Sequence, residues 1–265
     1  MACVHRGVSA VRRNLQQGRI AVGIATVLTS CAHCQGPGSD LAAEHLYFCA
    51  QYVAAGSLEQ AEARCDLALE HDPALAEAHN LLGLIARYRG QNEVAVREYK
   101  EALAIKADFP EALNNYGEVF MDRRDYGEAC GLFERAIRID PAYVPARANF
   151  GRCLYHDEKP DLARKEFLKC MEQDPDQCDC CLGLGVLAAD KKALDEAVEQ
   201  FTRLTEICPN GATGFYNLCW TLVEMGRCRE AVPACQRALE IDPGYLEAKK
   251  ALSQAVTCRD LAAVH

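Results

Sequence analysis

Residues 110–143 read PEALNNYGEVFMDRRDYGEACGLFERAIRIDPAY, and the rest of the chain repeats the plan of this stretch. Its Ala129 has counterparts at Ala61, Ala95, Ala163, Ala197 and Ala231, each 34 residues from the next. Its Gly117 is matched by Gly83, Gly151 and Gly185, while Cys49 and Cys219 take the same slot at the two ends. A large apolar residue precedes that slot each time: Phe48, Leu82, Tyr116, Phe150, Leu184, Leu218. Four residues after each alanine stands Cys65, Tyr99, Phe133, Phe167, Phe201 or Cys235. Pro141 is matched by Pro73, Pro175, Pro209 and Pro243, with Ala107 in the remaining slot. Small residues let two antiparallel helices approach, and the large ones fill the space beside them. A fixed period of this length means a stack of supersecondary units, each burying its apolar face on its neighbours.

The pattern closely resembles the tetratricopeptide repeat (TPR) family. The resemblance implies an all-α, right-handed superhelix of six helix pairs plus a C-terminal capping helix. The repeats fall at 42–75, 76–109, 110–143, 144–177, 178–211 and 212–245. Residues 246–257, LEAKKALSQAVT, read as an amphipathic helix that covers the exposed end of the stack, within a cap and tail spanning 246–265. In the first repeat, Ser57 with Gln60 reads as a capping box just after Gly56, and His71-Asp72-Pro73 closes the second helix. Such a fold is a scaffold for holding another protein and carries no chemistry of its own.

Residues 1–41 lie outside the repeats. Arg6, Arg12, Arg13 and Arg19 come first, with no acidic residue before Asp40. Ile20–Thr29, IAVGIATVLT, is an apolar run of ten, too short to span a bilayer and of the length of a signal-peptide core. Leu28-Thr29-Ser30-Cys31 follows and resembles the bacterial lipobox. That resemblance implies a removed lipoprotein signal peptide (1–30), a lipid on Cys31 as the only covalent cofactor, and a tether over 31–41. Ala32 after the cysteine favours the outer membrane by analogy with the sorting rule. The whole chain carries −9; without the leader's four arginines the remainder is about −13. So acidic a surface repels phosphate and argues against nucleic acid as a partner.

Sixteen cysteines in an oxidising compartment read as disulfides. Numbering each repeat from 1 to 34, antiparallel helices of one repeat bring together positions whose sum is near 32. This pairs Cys49 with Cys65, Cys219 with Cys235 and Cys178 with Cys208. Between neighbouring repeats the sum is near 31, which pairs Cys130 with Cys153 and Cys228 with Cys258. Cys170 faces Cys180 or Cys181, and of these Cys180 is taken as the partner. Cys178 and Cys181 have C-x2-C spacing, but no second such pair or His pair stands at the usual distance, so no metal is expected.

The sequence contains no Gly-rich phosphate loop, no G-x-S-x-G and no H-E-x-x-H, and neither an enzyme nor a small-molecule substrate is expected. His45 and His79 share repeat position 4 and read as half-buried packing residues. In TPR arrays the groove is lined by first-helix positions 2, 5, 9, 12 and 13. Carried onto this chain, the candidates are Leu46, Asn80, Leu84, Tyr88, Asn114, Met121, Tyr155, Leu182, Tyr216 and Trp220, with Val53, Glu118, Arg152, Val186, Asp190 and Val223 alongside. Aromatic anchors on such a surface suit a helix or an extended apolar segment. Position 5 holds no lysine in any repeat, which argues against the carboxylate clamp of chaperone-tail readers.

Six TPRs behind a lipobox resemble the outer-membrane lipoproteins of type IV pilus biogenesis, the PilF/PilW/Tgl pilotin family. The cysteine load suits its myxobacterial member, used in social gliding motility. The resemblance implies a partner in the pilus secretin, which the protein helps to multimerise in the outer membrane. The alternative reading is a general envelope adaptor serving peptidoglycan enzymes, outer-membrane protein insertion or a secretion system.

Overall fold

The computed structural model describes residues 37–262, with side chains for 41–260. Among the described residues there are thirteen α-helices and no strand. In chain order they are α1 (Pro37–Ala54), α2 (Leu58–His71), α3 (Ala76–Tyr88), α4 (Asn92–Ile105), α5 (Pro110–Arg123), α6 (Tyr126–Ile139) and α7 (Val144–His156). The remainder are α8 (Pro160–Gln173), α9 (Cys178–Asp190), α10 (Leu194–Ile207), α11 (Ala212–Glu224), α12 (Cys228–Ile241) and α13 (Leu246–Ala262). Each repeat expected from the 34-residue period is one helix pair, and α13 follows the sixth. The chain divides into two compact units, the first ending at Asn149 and the second beginning at Phe150. No helix among the described residues is long and apolar enough to cross a membrane.

Two expectations at the start of the repeats need correction. The first helix begins at Pro37, inside the stretch read as a tether. Proline is compatible with a first helical turn because its missing N–H has no intrahelical acceptor there. Ser57 does sit at the N-cap of α2, but its hydroxyl makes no cap hydrogen bond, so the capping box with Gln60 is not formed. The signal peptide (1–30), Cys31 and Cys34 lie outside the described residues.

Within each repeat the two helices meet at positions 8 and 24. A Cβ on Gly83 would stand 2.6 Å from the Tyr99 ring, and one on Gly117 would stand 2.7 Å from Phe133. In the second unit, a Cβ on Gly151 would stand 2.6 Å from Phe167, and Gly185 meets Phe201 in the same way. Real side chains do not approach so closely, so each ring occupies the space that a missing side chain leaves. Tyr99 and Phe133 are fully buried and Phe201 is 1% exposed. Burial of each ring contributes about 2–3 kcal/mol. In the first and sixth repeats the same two positions are cysteines, and they are bonded: Cys49–Cys65 with Cα atoms 5.3 Å apart and Cys219–Cys235 at 5.2 Å.

The turn between paired helices is also common to all repeats. Position 15 has positive φ in every one: Gly56, Gly90, Arg124, Glu158, Lys192 and Gly226. The next N–H bonds back to the carbonyl five residues earlier, as in Ser57 to Tyr52 and Arg227 to Leu222, both at 2.9 Å. This is a Schellman closure, which needs one left-handed residue. The turn between repeats uses a side chain instead. Oδ1 of Asp72, Asp140, Asp174 and Asp242 accepts from the N–H two residues on, at 2.9–3.1 Å. The fifth repeat ends with Cys208 at that position, and Cys208 is bonded to Cys178.

Candidate partner-binding face

The candidate surface is formed by the first helix of each repeat, and its character differs between the units. In the first unit it is a polar seam along α3, α5 and the start of α7. Asn115 Nδ2 donates to Asn80 Oδ1 at 3.0 Å. Asn149 Nδ2 donates to Asn114 Oδ1 at 2.8 Å and lies 3.3 Å from Glu118 Oε1. The guanidinium of Arg87 donates to Glu118 and, through Nε, to Asp122 Oδ2 at 2.8 Å. Burial opposes the Arg87 charge, but the two carboxylates outweigh it and hold its pKa above the usual value. These bonds join neighbouring repeats, so the seam fixes one repeat on the next.

Three of the ten expected contact residues are therefore corrected. Leu46 is 1% exposed and belongs to the core cluster with Cys49, Cys65, Leu81 and Ile85, and Val53, expected alongside, is buried in the same cluster. Asn80 (6%) and Asn114 (5%) are buried, with their amide groups turned to other asparagines of the same surface. Buried amides of this kind must be paired, and here the neighbouring repeat pairs them. Leu84, Tyr88 and Met121 are half-buried and remain on the surface. His45 and His79, also half-buried, reach the second helix of their own repeats. His79 Nδ1 lies 3.0 Å from Glu98, and His45 Nδ1 lies 3.0 Å from Arg64.

In the second unit the same surface is apolar and aromatic. Leu182, Val186, Tyr216, Trp220 and Val223 are all half-buried. Tyr216 packs on Tyr245 with ring centroids 4.9 Å apart. Lys192 Nζ stands 5.9 Å from the Trp220 centroid and 3.8 Å from Glu224 Oε2. Tyr155 OH donates to Asp190 Oδ2 at 2.7 Å; this bond, with burial, pushes the phenol pKa up to about 12.

Beyond the two end-repeat pairs, the second unit contains Cys170–Cys180, Cys178–Cys208 and Cys228–Cys258, with Cα separations of 5.9–6.2 Å. All fall in the normal range for a disulfide. Cys153, on α7, is a half-cystine. In the first unit, Cys130 on α6 is a half-cystine too. Cys181 is a free, buried thiol that donates to the Gln200 carbonyl at 3.1 Å; burial pushes its pKa up to about 11. That environment makes it inert. Among the described residues no group of three or more His, Cys, Asp or Glu is placed to hold a metal ion.

Comparison with known proteins places this geometry. The tetratricopeptide repeat pattern matches residues 81–144 and, in a second version, 120–177. The type IV pilus assembly protein PilF of Pseudomonas aeruginosa is 31% identical over 132 residues, 48% of this chain. The match spans 51% of that protein's length, about half of it. A solved structure of Pseudomonas aeruginosa PilF superposes with a TM-score of 0.71 at 22% identity, covering 81% of this chain and 98% of that one. The structure of PilW, described as a widely conserved type IV pilus biogenesis factor, gives 0.70 at 22% identity, covering 80% and 98%. YrrB, described as a TPR protein with an unusual peptide-binding site, gives 0.52 at 25% identity, covering 71% and 96%. This chain has the tetratricopeptide-repeat fold, is similar in sequence over about half its length to the pilus assembly protein PilF, and shares the architecture of PilF and PilW.

Proposed function

We propose that this protein is a scaffold of type IV pilus biogenesis that works as a pilotin: a lipoprotein that helps the outer-membrane secretin to multimerise. The observation that carries this reading is the sequence similarity to PilF over 132 residues. In this reading Cys31 carries the lipid, the mature chain is held at the outer membrane, and the myxobacterial branch of the family is the nearest in kind. Lipid anchoring would confine the repeats to the membrane surface, where bound secretin subunits reach a high effective concentration for assembly. The protein contributes surfaces and not catalysis, so pilus-driven motility, twitching or social gliding, depends on it through assembly alone.

The test is a gel of heat-resistant secretin multimers from wild type, a deletion strain and Cys31→Ala. The deletion is expected to lose multimers while keeping monomer, and Cys31→Ala is expected to reduce them. Unchanged multimers in the deletion would end the pilotin reading and leave the general envelope adaptor.

A further inference from the structure

The second unit has an aromatic surface that the repeat architecture does not require. Tyr216 and Trp220 stand four residues apart on α11 and so share one face of that helix. Trp220 is the only tryptophan of the chain. Tyr216 packs against Tyr245, and the Glu247 carboxylate is close enough to act on both phenols. The face of Trp220 is covered by an ammonium from the protein itself, Lys192 Nζ. The Lys192 side chain is 70% exposed, on the left-handed turn residue after α9, and shares its charge with Glu224. An ammonium so exposed has water as an easy alternative, so its hold on the ring is weak.

We infer that this face docks a protein segment carrying apolar side chains beside a Lys or Arg, whose cation replaces Lys192 over Trp220. The indole offers a flat apolar contact and the best cation-attracting ring among the side chains. Glu224 and Glu247 place negative charge beside the aromatic rings, complementary to a basic segment and opposed to an acidic one. Lys192 then acts as a built-in competitor, an own-chain mimic of the partner's cation. The inference rests on the scaffold reading for the nature of the partner, but its test needs no pilus and no secretin.

The purified full chain is titrated with a labelled helical peptide of about 14 residues, with Leu along one face and Lys elsewhere, and with its Glu-for-Lys counterpart. The Lys peptide is expected to bind and to change the Trp220 fluorescence. Lys192→Ala is expected to tighten it about two- to five-fold by removing the competitor. Tyr216→Ala, read by peptide anisotropy and checked for helicity, is expected to weaken it. Three results would overturn the inference: equal or tighter binding of the Glu peptide, weaker binding to Lys192→Ala, or peptide binding with no change at Trp220. Because secretin multimers are scored separately, loss of this docking site and loss of the pilotin reading are told apart.

Discussion

The first and sixth repeats solve the same packing problem as the four between them, by different chemistry. In the inner repeats a glycine at position 8 admits an aromatic ring from position 24, as Gly117 admits Phe133. In the outer repeats both positions are cysteine, and a covalent bond replaces the ring. An inner repeat is packed between two neighbours and draws stability from both interfaces. An end repeat has a full repeat on one side only; on its other side the sixth has the single helix α13, whose Ala251 and Ala255 share a buried cluster with Leu222 and Cys235. A disulfide constrains the unfolded chain whatever its neighbour is, so the bond sits in the two repeats that have a full repeat on one side only. The turn divides differently, for the second repeat also has glycine there, Gly90. Both outer repeats have glycine at the left-handed position, Gly56 and Gly226, whereas the other three inner repeats tolerate Arg124, Glu158 and Lys192.

The largest effect is expected from emptying an inner ring site. Phe133→Ala should lose about 3–5 kcal/mol in denaturant unfolding, because the ring is fully buried and its glycine partner cannot fill the gap. A loss under 1 kcal/mol would mean that the inner repeats do not depend on the ring. Next comes the outer bond. Cys49→Ser with Cys65→Ser should cost about 3 kcal/mol for a loop separation of 16 residues. Conversion to the inner solution, Cys49→Gly with Cys65→Phe, should recover part of that loss and make the first repeat indifferent to reductant. If the converted repeat still frays in hydrogen exchange, packing alone is not sufficient at a chain end.

A smaller gain is expected inside the inner class. Tyr99 occupies the site where the third, fourth and fifth repeats have phenylalanine, and its buried hydroxyl has no hydrogen-bond partner. Burial pushes its pKa well up, a sign of the same desolvation. Tyr99→Phe should therefore stabilise by about 1 kcal/mol, since it removes an unsatisfied polar group without opening a cavity. A loss of stability would show that the hydroxyl is satisfied in solution. The smallest effect belongs to the turn. Arg124, at φ 62°, forms its Schellman closure without the freedom of glycine. Arg124→Gly should add about 0.5–1 kcal/mol, read as a rise in melting temperature, as relief of left-handed strain offsets the extra entropy of the unfolded chain.

Periodicity was legible because identical neighbours impose identical demands at identical positions. The thirteen helices, the glycine-to-ring contacts and the cysteine pairs at positions 8 and 24 all follow from a 34-residue count. Less legible were features that depend on which side chain a neighbour covers. Leu46 has the repeat position of a contact residue, yet it is core, because α2 and α3 close over it. Asn80 and Asn114 look like free hydrogen-bonding groups in sequence, and each is tied to an asparagine 35 residues on. No local pattern announces that register. The left-handed residue at position 15 is visible as glycine in three repeats and hidden as Arg124, Glu158 and Lys192 in the other three.

The sequence by itself determined the repeat length, the alternation of small and large residues that makes helices pair, and the stations at which cysteines meet. These are local or strictly periodic, so a linear reading captures them. Only the tertiary structure decided which exposed-looking positions are buried, which amides and charges satisfy one another between repeats, and that an ammonium covers the single tryptophan. Those outcomes depend on the rotation of one helix against the next, a quantity set by packing in three dimensions and not by spacing along the chain.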